Sequence, residues 1–100
     1  MKADGPRFTW DQNKDYANQQ KHGVSFEEAK SVFLDESGKL IDDPDHSESE
    51  DRFILIGISQ KFRILLVCHC YRSGDDEIRI ISARKASKNE TKFYKGDQNA

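Results

Sequence analysis

The 100-residue sequence has no apolar run close to the roughly 18 residues that a membrane-spanning helix needs. Residues 1–7 also lack the apolar stretch of a secretory signal. We therefore expect a soluble, cytoplasmic protein without a membrane partner. The sequence shows no internal repeat, low-complexity tract or interdomain linker. At this length it predicts a single domain over residues 1–100, ordered from about residue 7 to residue 95.

The signature motifs of several enzyme classes are missing. The sequence contains no Gly-x-Ser-x-Gly, no His-Glu-x-x-His and no Gly-rich phosphate loop before a helix. Paired catalytic carboxylates do not stand out either. Esterase, metalloprotease and glycosidase functions are therefore poorly supported.

Cysteine is scarce: Cys68 and Cys70 are the two in the chain, and they flank His69 in a segment with strand character. Side chains two apart in a strand point the same way, at about 6–7 Å of strand rise, which argues against a mutual disulfide. The same alternation places His69 on the other face of the strand, whereas the ligands of a zinc ion must converge on one point. Zinc binding by this triplet is a weak alternative.

Hydrophobic residues make up 35% of the chain and are concentrated in a few segments. Strands are predicted at residues 53–58, 64–68 and 77–83, with strand character at 8–10 and a brief strand at 40–41. Helices are predicted from Asp11 to Lys21, over residues 26–34 and from Ser87 to Tyr94. Ser25 and Ser87 are each followed three residues later by Glu, which is a capping-box signature. This order predicts an α+β fold.

The charges are segregated along the chain, so the net charge of −2 says little about partners. Residues 42–51 carry six acidic residues and no Lys or Arg, and we interpret them as a solvated surface loop. Residues 79–95 carry six basic residues and one acidic residue. The basic block favours a phosphate ligand.

Arg79 stands among isoleucines in the third predicted strand, and burying it is costly unless an anion meets it; the alternative is a surface arginine. Arg84 and Lys85 end that strand just before the predicted cap at Ser87, so two cations and a helix N-terminus can converge. His69, in the neighbouring strand, is expected near the ladder position of Arg79 or Ile81. A histidine exchanges protons near neutral pH, although a structural histidine is commoner.

Lys21 and His22 lie where the first helix ends. Cations there are stabilised by the helix dipole, which is a sufficient structural reason for both residues. A functional role for them rests on the resemblance described next.

The sequence resembles the BrnT family of type II toxin–antitoxin toxins over nearly its whole length, from about Phe8 to Tyr94. The matching stretches are Phe8-Thr9-Trp10-Asp11, Asn18, Lys21-His22-Gly23-Val24-Ser25-Phe26-Glu27-Glu28-Ala29, Val32-Phe33, Asp43-Pro44-Asp45-His46, Arg52-Phe53, Ile78-Arg79-Ile80-Ile81-Ser82-Ala83-Arg84-Lys85-Ala86, Glu90 and Tyr94.

The resemblance implies a RelE-like fold, in which N-terminal helices pack on a twisted antiparallel sheet followed by a short C-terminal helix. It implies a metal-independent ribonuclease, with no cofactor, that blocks translation. It also implies a BrnA-like antitoxin with a ribbon-helix-helix domain that covers the active surface. DNA would then be contacted chiefly through the antitoxin, and the toxin itself would bind RNA.

The resemblance and the residue chemistry together nominate a set of site residues. Arg79 and Arg84 are expected to clamp the phosphate and the transition state, with Lys21, His22 and Arg52 as supporting cations. His69 is the candidate for proton transfer, and Tyr94 is a further candidate from the last helix. The alternative function is a non-catalytic module that binds nucleic acid or a protein partner through the same cationic face.

Overall fold

The structure, a computed structural model, describes residues 6–44, 51–72, 74 and 76–96. The strands are β1 (Arg7–Thr9), β2 (Lys39–Asp42), β3 (Phe53–Ile58), β4 (Ile64–Arg72) and β5 (Glu77–Lys85). The helices are α1 (Gln12–His22), α2 (Phe26–Ser31) and α3 (Lys88–Lys95), and a 3₁₀ turn at Val32–Leu34 continues from α2. The α+β class predicted from the sequence is confirmed.

The helix ends follow the local signals in the sequence. The Asp11 side chain accepts hydrogen bonds from two backbone N–H groups of the first turn of α1, which ends at Gly23 with a left-handed φ of 70°. The hydroxyls of Ser25 and Ser87 accept from the backbone N–H of Glu28 and Glu90, respectively. Both predicted serine caps are therefore confirmed.

The strands form one sheet in the order β1-β5-β4-β3-β2. β2 through β5 pair antiparallel, whereas β1 runs parallel to β5. Parallel neighbours need a long crossover, and the whole chain between β1 and β5 supplies it. The sheet therefore has β1 and β2 as its two edges and β4 at its centre.

One face of the sheet is covered by α1, α2 and the 3₁₀ turn. The buried core lies there and consists of Val24, Phe26, Ala29, Val32, Leu65, Val67, Ile80 and Ala83. Because side chains alternate along a strand, Leu66 and Cys68 of β4 point to the opposite face. α3 borders that second face, where Phe93 lines a groove together with Ile56 and Leu66.

Asn18 joins α1 to the edge of β5 where β1 no longer covers it. Its side-chain amide donates to the Ala83 carbonyl oxygen at 2.8 Å, and its amide oxygen accepts from the Ala83 N–H at 3.1 Å. It also donates to the Val24 carbonyl oxygen at 2.8 Å. The buried amide thus replaces a missing strand partner and fixes the C-terminal end of α1 beside residues 82–84 of β5.

Among the described residues, no helix is both long and apolar enough to cross a membrane.

Candidate functional site

A cavity of about 430 Å³ opens on the sheet face opposite α1 and α2. Strands β3, β4 and β5 form its floor, and the end of α1 and the segment after β2 form its walls. Its lining residues are His22, Asp43, Arg52, Ile54, Leu66, Cys68, Ile81, Ser82, Ala83 and Arg84. The cavity combines an apolar floor with a rim of charged and proton-transferring side chains.

His22 enters the cavity from the last position of α1. Asn18, one turn earlier, holds the helix against the edge of β5, so the imidazole reaches around that edge to the second face. Gly23 then ends the helix, its N–H donating to the Gln19 carbonyl oxygen. His22 is half-buried, whereas the preceding Lys21 is exposed and does not line the cavity.

Asp43 and Arg52 enter from the chain segments on either side of the loop between β2 and β3. Their backbones are joined, since the Asp43 N–H donates to the Arg52 carbonyl oxygen at 3.1 Å. The guanidinium Nε of Arg52 is buried and has no hydrogen-bond partner among the described residues. An unpartnered buried donor of a cation is costly, so an anion entering this cavity would relieve that cost.

Cys68 lies on the cavity floor and donates its S–H to Asp43 Oδ2 at 3.3 Å. Burial, together with the Asp43 carboxylate, raises the pKa of the thiol to about 12. The thiol therefore stays protonated at neutral pH and is not a nucleophile. No group of three or more His, Cys, Asp or Glu within the described ranges could hold a metal ion.

Arg84 lies near the end of β5, opposite Leu66 in the ladder, and lines the same cavity. Its Nη1 and Nη2 atoms donate to the two carboxylate oxygens of Glu90 at 2.8 and 2.9 Å. This bidentate pair holds the pKa of Glu90 down at about 2 and raises the pKa of Arg84. Both groups are therefore fully charged at neutral pH.

Three of the seven predicted site residues thus lie in one cavity: His22, Arg52 and Arg84. Arg79 is on the same face of β5 but pairs with Cys70 of β4, whereas Arg84 pairs with Leu66, so the two lie four β4 positions apart, or roughly 13 Å at 3.3 Å per residue. Arg79 is half-buried beside Glu77, whose pKa is lowered chiefly by the hydrogen bond from Thr9 and further by the charges of Arg7, Arg72 and Arg79. Arg79 therefore belongs to a separate cationic region on the same face.

The predicted convergence of His69 with Arg79 and Arg84 is wrong. A bulge between Cys68 and His69 leaves an extra residue on β5, so that Cys68 pairs with Ser82 but His69 pairs with Ile80. His69 is fully buried on the helix-covered face, with its ring 4.9 Å from that of Phe33. The two arginines lie on the other face, so His69 cannot share a site with them.

The His69 ring is held in one tautomer. Nδ1 is 3.0 Å from the Val67 carbonyl oxygen, which can only accept, so Nδ1 carries the proton. Nε2, 3.2 Å from the Tyr71 hydroxyl, is then the acceptor. Burial lowers the pKa of His69, and the smaller effect of the hydrogen bond to the Val67 carbonyl oxygen acts in the opposite direction. His69 is therefore a neutral core residue.

Acidification is expected to destabilise the protein through His69. Its pKa is lower in the folded than in the unfolded chain, so between pH 6.5 and pH 5 the unfolded state binds a proton that the folded state resists. The free energy of unfolding should fall across this window and should fall less in His69→Phe. Urea unfolding at pH 7, 6 and 5 measures both slopes. Equal slopes in the two proteins would contradict the assignment.

Tyr94 does not line the cavity. Its hydroxyl donates to Asp35 Oδ2 at 2.6 Å, and that hydrogen bond raises the pKa of Tyr94 to about 12. The same Asp35 oxygen accepts from the Ile58 N–H at 2.8 Å. Tyr94 thereby anchors α3 to the end of β3.

Sequence reasoning missed four residues of this region: Asp43, Cys68, Ser82 and Glu90. The sequence predicts Asp43 in a solvated acidic loop, but the residue is buried at the cavity wall; residues 45–50 of that loop lie outside the described residues. A signal existed for Glu90, because its capping-box position places it one turn from the strand end that carries Arg84. No local signal distinguishes Asp43 from its acidic neighbours.

Comparison with known proteins defines the class. A family model described as the ribonuclease toxin, BrnT, of type II toxin–antitoxin systems matches residues 10–90. Together with the α+β fold and the cationic cavity, this match makes the protein a ribonuclease toxin. The chain belongs to the BrnT family. Its partners are therefore RNA and an antitoxin.

A solved structure agrees with this assignment. The crystal structure of the Brucella abortus ribonuclease toxin, BrnT, is similar to this chain with a TM-score of 0.62 and 25% sequence identity. The match covers 83% of this chain and 99% of that one. No curated protein matches the sequence. The resemblance read from the sequence is confirmed, and the endoribonuclease interpretation prevails over a non-catalytic binding module.

Proposed function

We propose that the cavity around His22, Arg52 and Arg84 is where this toxin cleaves RNA. One observation carries the proposal: three side chains far apart in the sequence, each suited to phosphate chemistry, line a single cavity. The buried, unpartnered Nε of Arg52 supports it, because a phosphate oxygen would supply the missing acceptor.

The proposed reaction needs no metal. The 2′-oxygen of one nucleotide attacks the adjacent phosphorus, a pentavalent phosphorane-like transition state forms, and the bond to the 5′-oxygen of the next nucleotide breaks. The products are a 2′,3′-cyclic phosphate and a free 5′-hydroxyl. Arg52 and Arg84 stabilise the charge that develops on the phosphate oxygens. His22 takes part in proton transfer, for which an imidazole is the best suited side chain at neutral pH.

The remaining predicted residues take other roles in this proposal. Lys21 is exposed next to His22 and attracts RNA electrostatically. Arg79 does not line the cavity and lies further along β5 than Arg84, so we assign it to a neighbouring phosphate of the bound strand. His69 and Tyr94 maintain the fold, because one is buried under the helices and the other is bound to Asp35.

The partner and setting are proposed from the family. The antitoxin is BrnA-like, contains a ribbon-helix-helix domain and covers the cavity, so that DNA is contacted through the antitoxin. Cleavage of RNA inhibits translation in the cytoplasm. The chain acts as a single RelE-like toxin domain, and the described elements support this because all five strands belong to one sheet.

Purified protein should cleave total RNA in buffer containing EDTA. The cut fragments should carry 2′,3′-cyclic phosphate and 5′-hydroxyl ends, and an RNA with 2′-O-methyl groups throughout should stay intact because its nucleophile is blocked. Gel analysis and end-group labelling provide the readout. RNA that is cut only after Mg²⁺ is added, or fragments with 5′-phosphate ends, would refute the metal-independent mechanism.

A further inference from the structure

The guanidinium of Arg84 is held from one side. Its Nη1 and Nη2 donate to Glu90, and Nη1 also donates to the carbonyl oxygen of Lys85 at 3.3 Å. The Glu90 carboxylate thus takes one N–H of Nη1 and one N–H of Nη2, the pair that points away from the Arg84 backbone, and the Lys85 carbonyl takes the second N–H of Nη1. Within the described part of the chain, no acceptor is bonded to the N–H of Nε or to the second N–H of Nη2, which lies on the same side of the guanidinium as Nε. Those two donors form the second bidentate edge of the group.

The Glu90 carboxylate that grips Arg84 is itself fixed. Oε1 also accepts from the Ser87 N–H at 2.8 Å, and the Ser87 hydroxyl accepts from the Glu90 N–H at 3.2 Å, which completes a capping box at the start of α3. The other end of α3 is tied down by the bond between Tyr94 and Asp35 at 2.6 Å. Glu90 therefore presents its carboxylate from a helix that is anchored at both ends.

A capping box alone does not require this geometry. Gln serves at the third position of such a box as well as Glu does. In addition, an arginine side chain that is not held by a partner samples many rotamers, and a misplacement of about 1 Å at a reacting group can cost about a hundredfold in rate. The bidentate pair removes that freedom from an arginine on the cavity rim.

We propose that Glu90 is a positioning residue for RNA cleavage: it holds Arg84 by one edge so that the Nε and Nη2 edge is presented to the phosphate in the cavity. This inference rests on the proposed function of Arg84. Glu90 does not contact the RNA. It acts in the way a fixed carboxylate acts on a catalytic arginine, setting its direction before the substrate arrives.

The test is Glu90→Gln, which preserves the helix cap but loses the ionic, two-bonded grip, because the side-chain amide cannot accept from Nη2. We expect kcat for a defined RNA to fall about tenfold while KM changes less than about twofold. Helix content and thermal stability should match those of the wild type. Glu27→Gln is the matched control: it removes the same charge from the first turn of α2, where Glu27 pairs with Lys30, and should cleave normally.

A double-mutant cycle with Arg84→Lys separates the possible outcomes. Lysine cannot form a two-bonded fork, so adding Glu90→Gln to Arg84→Lys should cost little further activity. The positioning role would be overturned if Glu90→Gln cleaved RNA at the wild-type rate. It would also be overturned if adding Glu90→Gln to Arg84→Lys lowered kcat by a further factor of about ten. If Arg84→Lys itself cleaves as fast as the wild type, the proposed site fails instead, so the two failures are distinguishable.

Discussion

Replacing Arg84 by alanine is expected to lower kcat for RNA cleavage by about 10² to 10³-fold. The Arg84 guanidinium is already in place to stabilise the charge that develops on the phosphate in the transition state. Water that fills the space in the alanine variant must reorganise during the reaction, and removing such a donor typically lowers kcat by this factor. Arg84 lies at the rim of the cavity that also contains His22 and Arg52. Single-turnover cleavage of a defined RNA with excess protein measures the change directly.

The fold should tolerate the Arg84 substitution, since a half-exposed ion pair contributes about 0–1 kcal/mol. Lys30→Ala is the matched control, because it removes a cation from α2, which packs on the other face of the sheet. Arg79→Ala should behave differently from both, with a raised KM and a kcat close to that of the wild type. An Arg84→Ala protein that cleaves within about threefold of the wild-type rate would exclude Arg84 from the chemistry.

The parts of this architecture that the sequence predicted are those with short-range causes. Asp11, Ser25 and Ser87 cap helices through atoms two or three residues away, and those signals were sufficient. The alternation that separates Cys68 from His69 is also local. Residue chemistry and the family resemblance together predict His22, Arg52 and Arg84 as site residues, and all three line one cavity in the structure.

The predictions that the structure contradicts, and the site residues that the sequence does not reveal, depend on contacts between residues far apart in the chain. The separation of Arg84 from His69 depends on a single extra residue in β5, which moves Arg84 to the face of Arg79, and a bulge of this kind has no signature in the sequence of β4. The entry of His22 depends on Asn18 bonding to Ala83, a contact across 65 positions of sequence. Asp43 is buried between β2 and β3, whereas Asp42 and Asp51, the other acidic residues of this block that the structure describes, are exposed. Such contacts exist only in the folded chain.

Glu28 shows how a correct local prediction can hide a second role. Its backbone N–H is capped by Ser25 as predicted, but its carboxylate does not close the capping box. The side chain is 1% exposed and forms an ion pair with Arg63, which donates through Nε at 3.0 Å, and Ser59 donates to it at 2.7 Å. Arg63 also donates to the Gly23 carbonyl oxygen at 3.0 Å, directly after His22. This pair therefore fixes the junction of α1 and α2.

Arg63→Ala should accordingly lower the free energy of unfolding by about 3–5 kcal/mol at pH 7. The substitution leaves the buried Glu28 carboxylate with Ser59 as its remaining side-chain donor among the described residues, and an unpaired buried charge costs this much. Lys61→Ala, an exposed cation of the same loop, should change stability by less than about 0.5 kcal/mol. Urea unfolding followed by circular dichroism measures both.

The pH dependence distinguishes an unpaired charge from simple loss of packing. In the wild type the hydrogen bond from Arg63 lowers the pKa of Glu28. The stability that the ionised Glu28 carboxylate contributes is therefore present above the pKa of Glu28 in the unfolded chain and is lost as the pH falls through the lowered pKa of the folded protein. Without Arg63, burial raises that pKa, and protonation below it relieves the buried charge. The deficit of Arg63→Ala should therefore shrink between pH 7 and pH 4, and the added substitution Glu28→Gln should recover part of it at pH 7. A deficit that is constant with pH and unchanged by Glu28→Gln would mean that Arg63 acts through its packing and its bond to Gly23 alone.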